Sequence, residues 1–239
     1  IAAMCVLAAI VRRPYRRDLV TYGWVISALI FGNAIVGGAV VLFHLKSGIV
    51  SAHFLLSIAS LTAGMVLYFR AGEPGSGGDF WGRDRISTTT TQLRTAVRVS
   101  TVLVLIGISL GTIATGSGPH SGDPAKTERL PFGIQAAARV HSMAMWCALL
   151  SVVAIAVLAA RTPGSTAAEL RRRVTWLMGA LVVQGGIGYL QYAKQLPAGL
   201  VEVHVLGATV VWMLLCWVRA AVTAPGDASL RGEGAVSPV

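Results

Sequence analysis

Charged side chains are scarce in this sequence, and that scarcity excludes an ordinary water-soluble domain. Lys, Arg, Asp and Glu together make up 13% of the residues, whereas hydrophobic residues make up 54%. Typical soluble domains carry about 25% charged residues. The chain is therefore expected to be a polytopic membrane protein.

Acidic residues are the scarcer of the charged groups, with 10 against 20 basic residues and a net charge of +10. Such a balance can indicate nucleic-acid binding. Here, however, the arginines concentrate in alternate loops, which the positive-inside rule assigns to the cytoplasm. We therefore expect no nucleic-acid partner. The arginines of these loops are Arg12, Arg13, Arg16, Arg17, Arg70, Arg83, Arg85, Arg94, Arg98, Arg161, Arg171, Arg172, Arg173, Arg219 and Arg231.

Cysteine is also rare, and its placement excludes several metal sites. Cys5, Cys147 and Cys216 all fall within apolar segments, where they are expected to be small buried hydrophobes. The absence of CxxC and CxxCH gives no support for a zinc ribbon or covalently attached heme c. Phosphate-loop, HExxH, EF-hand and hydrolase motifs are absent as well.

Long apolar runs are what the sequence has instead, and they predict an all-α, polytopic transmembrane bundle. A spanning helix needs about 20 mostly apolar residues. A shorter run, Ile1 to Val11, resembles half a span and lacks an initiator Met, so we expect an N-terminal truncation. Residues 71–95 are expected to form a cytoplasmic linker and residues 224–239 a disordered tail. Six full spans are predicted: Tyr22 to Phe43, Ile49 to Phe69, Ala96 to Thr115, Ala136 to Ala160, Val174 to Ala193 and Leu200 to Val222.

One segment occurs twice. Asn33 to Leu55 recurs without a gap at Gln184 to Leu206, and each copy contains a helix, a short loop and a histidine-bearing helix. A repeated histidine-bearing segment suggests a repeated site. The identical pairs are Gly37/Gly188, Leu45/Leu196, Gly48/Gly199, Val50/Val201, His53/His204 and Leu55/Leu206.

Three of the five histidines, His53, His141 and His204, lie about five residues into helices that start at the outer face, at about 7 Å depth. A histidine within a bilayer span is by default a functional hypothesis. Two imidazoles on facing helices can hold a heme iron from both axial sides. The alternative for each is a hydrogen-bonded helix contact, and His44 is expected to be a solvated interfacial residue.

The longest outer loop carries the string Thr115 to Asp123, TGSGPHSGD, which is rich in turn-forming residues. Ser117, His120, Asp123 and Arg129 are expected above the histidine layer. There they are candidate contacts for heme propionates, which need hydrogen-bond donors and cations. The alternative is a loop without a binding role.

At these motifs the chain resembles the heme A synthase family, most closely its actinobacterial-type members. The resemblance extends from Ile1 to about Val222. It rests on TGSGPHSGD followed by RLPF, on RVH at Arg139 to His141, and on GALVVQGGIGYLQY and LVEVHVLGA in the second half. In the first half, VGGAVVLFHLKSGIVSAHFLLS around His53 is also similar.

The resemblance implies eight helices in two pseudo-twofold related four-helix halves, with residues 1–70 as the remainder of the first and residues 96–223 as the second. It implies a bacterial cell-membrane enzyme that converts heme O to heme A, with its heme layer near the outer face. His141 and His204 would ligate a resident heme b, and His53 would ligate the substrate heme. Expected partners are heme O, the heme O synthase, an electron donor and lipid, and a homo-oligomer is left open.

The sequence departs from the family pattern at its start. The Glu-x-x-His string of the family's first half is not in the sequence, and Ala138 stands three residues before His141. The catalytic glutamate is therefore expected upstream of Ile1. If the polypeptide starts at Ile1, it is expected to lack synthase activity while one heme site persists, but a fragmentary gene model is the favoured explanation. Two alternatives stay open: a bis-histidine b-type cytochrome that only transfers electrons, and a heme-free membrane scaffold or transporter.

Overall fold

The computed structural model describes residues 1–71, 91–119, 129–162 and 165–222. Within these ranges all regular secondary structure is helical, which confirms the all-α prediction. The helices in chain order are α1 (Ala2–Val11), α2 (Arg17–Leu42), α3 (Ser47–Ala71), α4 (Thr91–Ser117), α5 (Ile134–Ala160), α6 (Ser165–Ala193) and α7 (Ala198–Val222).

Five helices, α2, α3, α4, α5 and α7, are long and apolar enough to cross a membrane. Large apolar side chains face outward along them, including Phe31 at 70% exposure and Leu42 at 76%. An apolar surface of this extent suits lipid and would promote association in water. The protein is therefore a membrane-embedded helical bundle.

The fifth predicted span, Val174 to Ala193, lies in α6, which is helical throughout but is not among those five. Its apolar stretch is interrupted by Gln184 and Gln191 and by several glycines. Gln184, Gln191 and three of these glycines line a cavity, so the lower apolarity of α6 coincides with the part of the helix that borders it.

Several helices begin before the apolar runs that predict them. α2 starts at Arg17 instead of Tyr22, α4 at Thr91 instead of Ala96, and α6 at Ser165 instead of Val174. Apolar counting marks only the part of a helix inside the hydrocarbon, whereas backbone hydrogen bonding continues into the polar interface. The predicted linker therefore loses residues 91–95 to α4 and Ala71 to α3. The rest of the linker and the predicted tail lie outside the described residues.

The helices pack in an order that follows the sequence repeat. α1 packs on α2 and α2 on α3, as α5 packs on α6 and α6 on α7. α4 packs on both α5 and α7, which closes α4 to α7 into a four-helix bundle. α3 joins the two groups by contacting α4 and α7.

The α4–α7 bundle has an apolar core. Its members are buried aliphatic residues from all four helices, and their close van der Waals packing stabilises helix association in lipid. Within this core Ser100 donates a hydrogen bond to Ser151 at 2.8 Å, which links α4 to α5. The core includes Val104, Val152, Ile155, Leu177 and Leu215.

The repeat is reproduced in the loop geometry. Leu45 and Leu196 occupy equivalent positions and both adopt positive φ, 58° and 62°. The Leu45 N–H donates to the Val40 carbonyl at 2.8 Å, and the Leu196 N–H donates to the Gln191 carbonyl at 2.7 Å. The α2–α3 and α6–α7 hairpins therefore turn in the same way.

The repeat also extends to the opposite helix ends, beyond the match visible in the sequence. Asp18 in α2 and Glu169 in α6 occupy equivalent positions, and each pairs with an arginine. Arg16 contacts Asp18 at 2.6 Å and Arg173 contacts Glu169 at 2.8 Å. A carboxylate–arginine pair thus marks the start of both repeat units.

The prediction that all three cysteines are buried is wrong for Cys147, and Cys5 and Cys216 are only half-buried. All three are free and lie in helices, but Cys147 is exposed on the outside of α5. A small apolar side chain is stable against lipid as well as in a protein core, so an apolar neighbourhood in sequence does not decide between the two.

Candidate functional site

A cavity of about 1000 Å³ lies between α3, α4, α5, α6 and α7. This volume is at the upper end of the range for small-molecule and cofactor sites. Its walls are mainly apolar, with polar groups contributed by all five helices. The apolar wall includes Phe54, Val104, Ile108, Leu149 and Leu181.

His141 and His204 face one another at this cavity. Their ring centres are 6.2 Å apart and their ring planes meet at 82°. His141 is the eighth residue of α5 and His204 the seventh of α7, so the two helices present them at matching heights. α5 and α7 make no backbone contact over their described lengths, so the two rings meet across the interior of the bundle.

The tautomer of His141 follows from its hydrogen bond. Its Nδ1 lies 2.9 Å from the Gly107 carbonyl oxygen on α4. A carbonyl can only accept, so Nδ1 carries the proton and Nε2 keeps its lone pair. Such a bond on the remote nitrogen is how proteins orient a histidine ligand.

A glycine on the preceding helix makes room for each ring. A Cβ added to Gly188 would stand 3.0 Å from Cε1 of His204, and one added to Gly111 would stand 3.1 Å from Cε1 of His141. The sequence places His141 outside the repeat, yet it packs as His204 does. The similarity is hidden in the sequence because a longer loop separates Gly111 from His141.

His53 repeats this packing against Gly37, where an added Cβ would stand 3.0 Å from its Cε1. It does not line the cavity of His141 and His204. Within the described residues, the buried Nδ1 atoms of His53 and His204 have no hydrogen-bond partner. The structure therefore brings together two of the three predicted histidines and leaves His53 apart, in α3.

A side-chain amide is linked to the backbone carbonyl of each repeat histidine, directly at His204 and through a hydroxyl at His53. Nε2 of Gln184 donates a hydrogen bond to the carbonyl of His204. Nδ2 of Asn33 donates to the Ser57 hydroxyl at 2.8 Å, and that hydroxyl donates to the carbonyl of His53 at 2.9 Å. The sequence shows Asn33 and Gln184 only as a conservative pair and assigns them no role.

The loop candidates are less well placed. Ser117 is buried and its hydroxyl donates to the Ile113 carbonyl at 2.8 Å, while Arg129 is exposed. Neither lines the cavity. His120 and Asp123 lie outside the described residues. Their role as propionate contacts stays a prediction.

Arg139 lines the cavity, although no role for it was predicted from the sequence. It lies on α5 two residues before His141. The signal was present, because Arg139 begins the RVH string. It supplies a cation on the cavity wall, which Arg129 does not.

A hydrogen-bonded cluster adds polar groups to the same wall. Nε1 of Trp146 donates to the Tyr189 hydroxyl at 3.0 Å, and the Ser142 hydroxyl lies 2.9 Å from it. All three residues line the cavity. Ser142 and Trp146 follow His141 on α5, but the partner tyrosine on α6 could be found only from the packing.

The ligand set suits one class of metal group better than others. Within the described residues, His, Cys, Asp and Glu do not form a cluster of three or more. A bare zinc ion usually takes four ligands, at least three of them from protein. Two imidazoles suffice for an iron whose other positions are filled by a tetrapyrrole.

No protein-family model, characterised protein or solved structure was found to match this chain.

Proposed function

We propose that this protein is a heme A synthase, which oxidises a ring methyl of heme O to the formyl group of heme A by successive hydroxylations for cytochrome oxidase assembly. The observation that carries the proposal is the pair of imidazoles, His141 and His204, facing one another at a large apolar cavity. The motifs TGSGPHSGD, RVH and LVEVHVLGA surround this pair in the sequence.

The spacing of the two rings supports heme b as a resident cofactor. Two metal–nitrogen bonds of about 2 Å each, extended from each nitrogen to its ring centre, give roughly 6 Å between ring centres. The observed 6.2 Å agrees with this value. The Gly107 carbonyl leaves Nε2 of His141 available for the iron. In the proposal these two residues hold the heme, which supplies reversible one-electron transfer.

Other residues of the chain would bind and orient the group. With heme bound, the apolar wall would limit the access of water, which would strengthen electrostatic interactions in the cavity. Arg139 provides a cation for a carboxylate such as a heme propionate. Gly111 and Gly188 let the two imidazoles lie close to α4 and α6. Each contribution is a fixed property of the described bundle.

Oxidation of heme O is assigned to the other half of the protein, with His53 as the ligand from this chain. The glutamate that the family places at the reacting methyl has no counterpart at Ala138. We place the protein in a bacterial cell membrane with its heme layer near the outer face. There it would take heme O from the heme O synthase and electrons from a donor, and a homo-oligomer is left open.

A second candidate is a b-type cytochrome that only transfers electrons. The observation in its favour is that one histidine pair faces the cavity, while His53 lies apart without a histidine partner among the described residues. One bis-histidine site is sufficient for electron transfer. A hydroxylating enzyme needs a second site for its substrate.

Heme extraction separates these functions. We would express the protein, with any coding sequence that precedes Ile1, in a bacterial strain that makes heme O but lacks heme A synthase. Heme A or hydroxylated heme O in the extract is the expected result. Heme B alone would favour the electron-transfer cytochrome. A purified protein without a reduced low-spin heme band would contradict both and favour a heme-free scaffold or transporter.

A further inference from the structure

We infer that Gln184 is a positioning residue that fixes the ligand His204, and that Asn33 acting through Ser57 does the same for His53. The inference rests on the proposed function only for its heme-based measurements. The hydrogen bonds join residues of the protein and do not depend on a bound heme.

Gln184 and Gly188 let α6 hold His204 at two points. Gln184 is 7% exposed, and its amide donates to the His204 backbone carbonyl. One helical turn later, Gly188 lies against the Cε1 edge of the same residue. A contact at the backbone and another at the ring restrict the rotation of α7 and the tilt of the imidazole together.

In the first copy, different residues form the hydrogen bonds that lead to the equivalent carbonyl, that of His53. Asn33 is one methylene shorter than Gln184 and contacts the Ser57 hydroxyl, not the His53 carbonyl. Ser57 bridges the remaining distance by donating to that carbonyl. At the position equivalent to Ser57, the second copy has Ala208, which leaves the longer glutamine to make the contact alone.

The residues at Gly207 and its equivalent also differ between the copies, and their sizes match the length of the amide side chain in each copy. A Cβ at Gly207 would collide with the side-chain oxygen of Gln184. The equivalent residue in the first copy is Leu56, which the shorter Asn33 permits. The second copy thus combines a long amide with two small neighbours, whereas the first combines a short amide with a larger neighbour and a hydroxyl relay. Both sets preserve a hydrogen-bonded route to the carbonyl of the histidine.

The experiment transplants the first arrangement into the second site. Gln184→Asn removes the direct contact, and adding Ala208→Ser supplies the hydroxyl relay. Both variants and the single Ala208→Ser would be purified with the full chain. The heme at His141 and His204 would be monitored by its midpoint potential and low-spin EPR signal. Thermal unfolding would be measured with and without bound heme.

We expect Gln184→Asn to shift the midpoint potential and the EPR signal and to lower Tm by about 2–4 °C, the effect of roughly one hydrogen bond. Ala208 lines the cavity, so Ala208→Ser alone measures the direct effect of the added hydroxyl, and relative to that variant and to Gln184→Asn the double variant should return toward the parent protein. Loss of stability through packing alone would not be restored by a hydroxyl at position 208.

Two outcomes would overturn the inference: heme signals that are unchanged in Gln184→Asn, or a double variant no closer to the parent than the single one. If the parent protein binds no heme, the proposed function fails separately. The unfolding measurements then test the inference. Recovery of Tm in the double variant would support the relay, whereas independent effects of the substitutions at positions 184 and 208 would contradict it.

Discussion

The Cε1 edge of His204 lies against Gly188, 3.0 Å from the position that a Cβ would take. We predict that Gly188→Ala displaces the imidazole and lowers the heme content of the purified protein, although alanine is favoured over glycine in a helix by about 1 kcal/mol. Gly179, on the same helix, is the matched control because it does not line the cavity and an added Cβ there meets nothing within 4 Å. Heme per protein would be measured by absorbance. Equal losses in the two variants would contradict the steric argument.

The histidine pair itself gives a second prediction. His141→Ala and His204→Ala should each remove the resident heme, because one axial ligand is lost from a two-ligand site. His53→Ala should retain it, since His53 does not line that cavity, and His120→Ala should also retain it. The measurement is the reduced-minus-oxidised spectrum, with helicity by circular dichroism to show that each variant folds. Normal heme content in His141→Ala or His204→Ala would refute the assignment.

The sequence was sufficient to predict the helices and to single out His53, His141 and His204, because both depend on local properties. The pairing of His141 with His204 was expected only from the family resemblance. Apolar run length marks a membrane span, and a histidine within one is rare enough to notice. The contacts of His141 with Gly107 and Gly111 could not be predicted in this way. They depend on how α4 and α5 align across a loop whose path the sequence does not define.

Sequence matching also did not identify all of the equivalent residues in the two repeat units. Asp18 and Glu169 occupy the same place in the two repeat units, but their neighbours differ and each finds an arginine at a different spacing. Both repeat units therefore contain a carboxylate–arginine pair, although the spacing of the two residues in the sequence differs. The same holds for the amide contacts of Asn33 and Gln184, which reach equivalent carbonyls by different routes.

A hydrogen bond between the two repeat units gives a third prediction. Nε1 of the buried Trp212 on α7 donates to the Thr62 hydroxyl on α3 at 2.8 Å. Trp212→Phe and Thr62→Val should each lower the free energy of unfolding, with a coupling of about 1 kcal/mol in the double variant. Trp176→Phe is the control, because Trp176 is 61% exposed. Strictly additive effects would show that this bond does not link α3 to α7.

The last prediction concerns pH and Glu169, which lies on α6 before its apolar stretch. Hydrogen bonds from Arg172 and, to a smaller extent, Arg173 lower the pKa of Glu169 below its usual 4.5, against an opposing contribution from burial. A depressed folded-state pKa stabilises the protein above the unfolded-state pKa, and this contribution is lost as the pH falls through the folded-state value. Stability should therefore decline on acidification below about pH 5.

Glu169→Gln should remove part of that decline, because the neutral amide does not titrate and pairs less strongly with the two arginines. The variant should be less stable than the parent at neutral pH and should approach it at acid pH. Tm would be measured in detergent across this range, with Glu202→Gln as the control because Glu202 makes no ion pair among the described residues. A Glu169→Gln curve parallel to that of the parent would show that Glu169 does not contribute to the acid response.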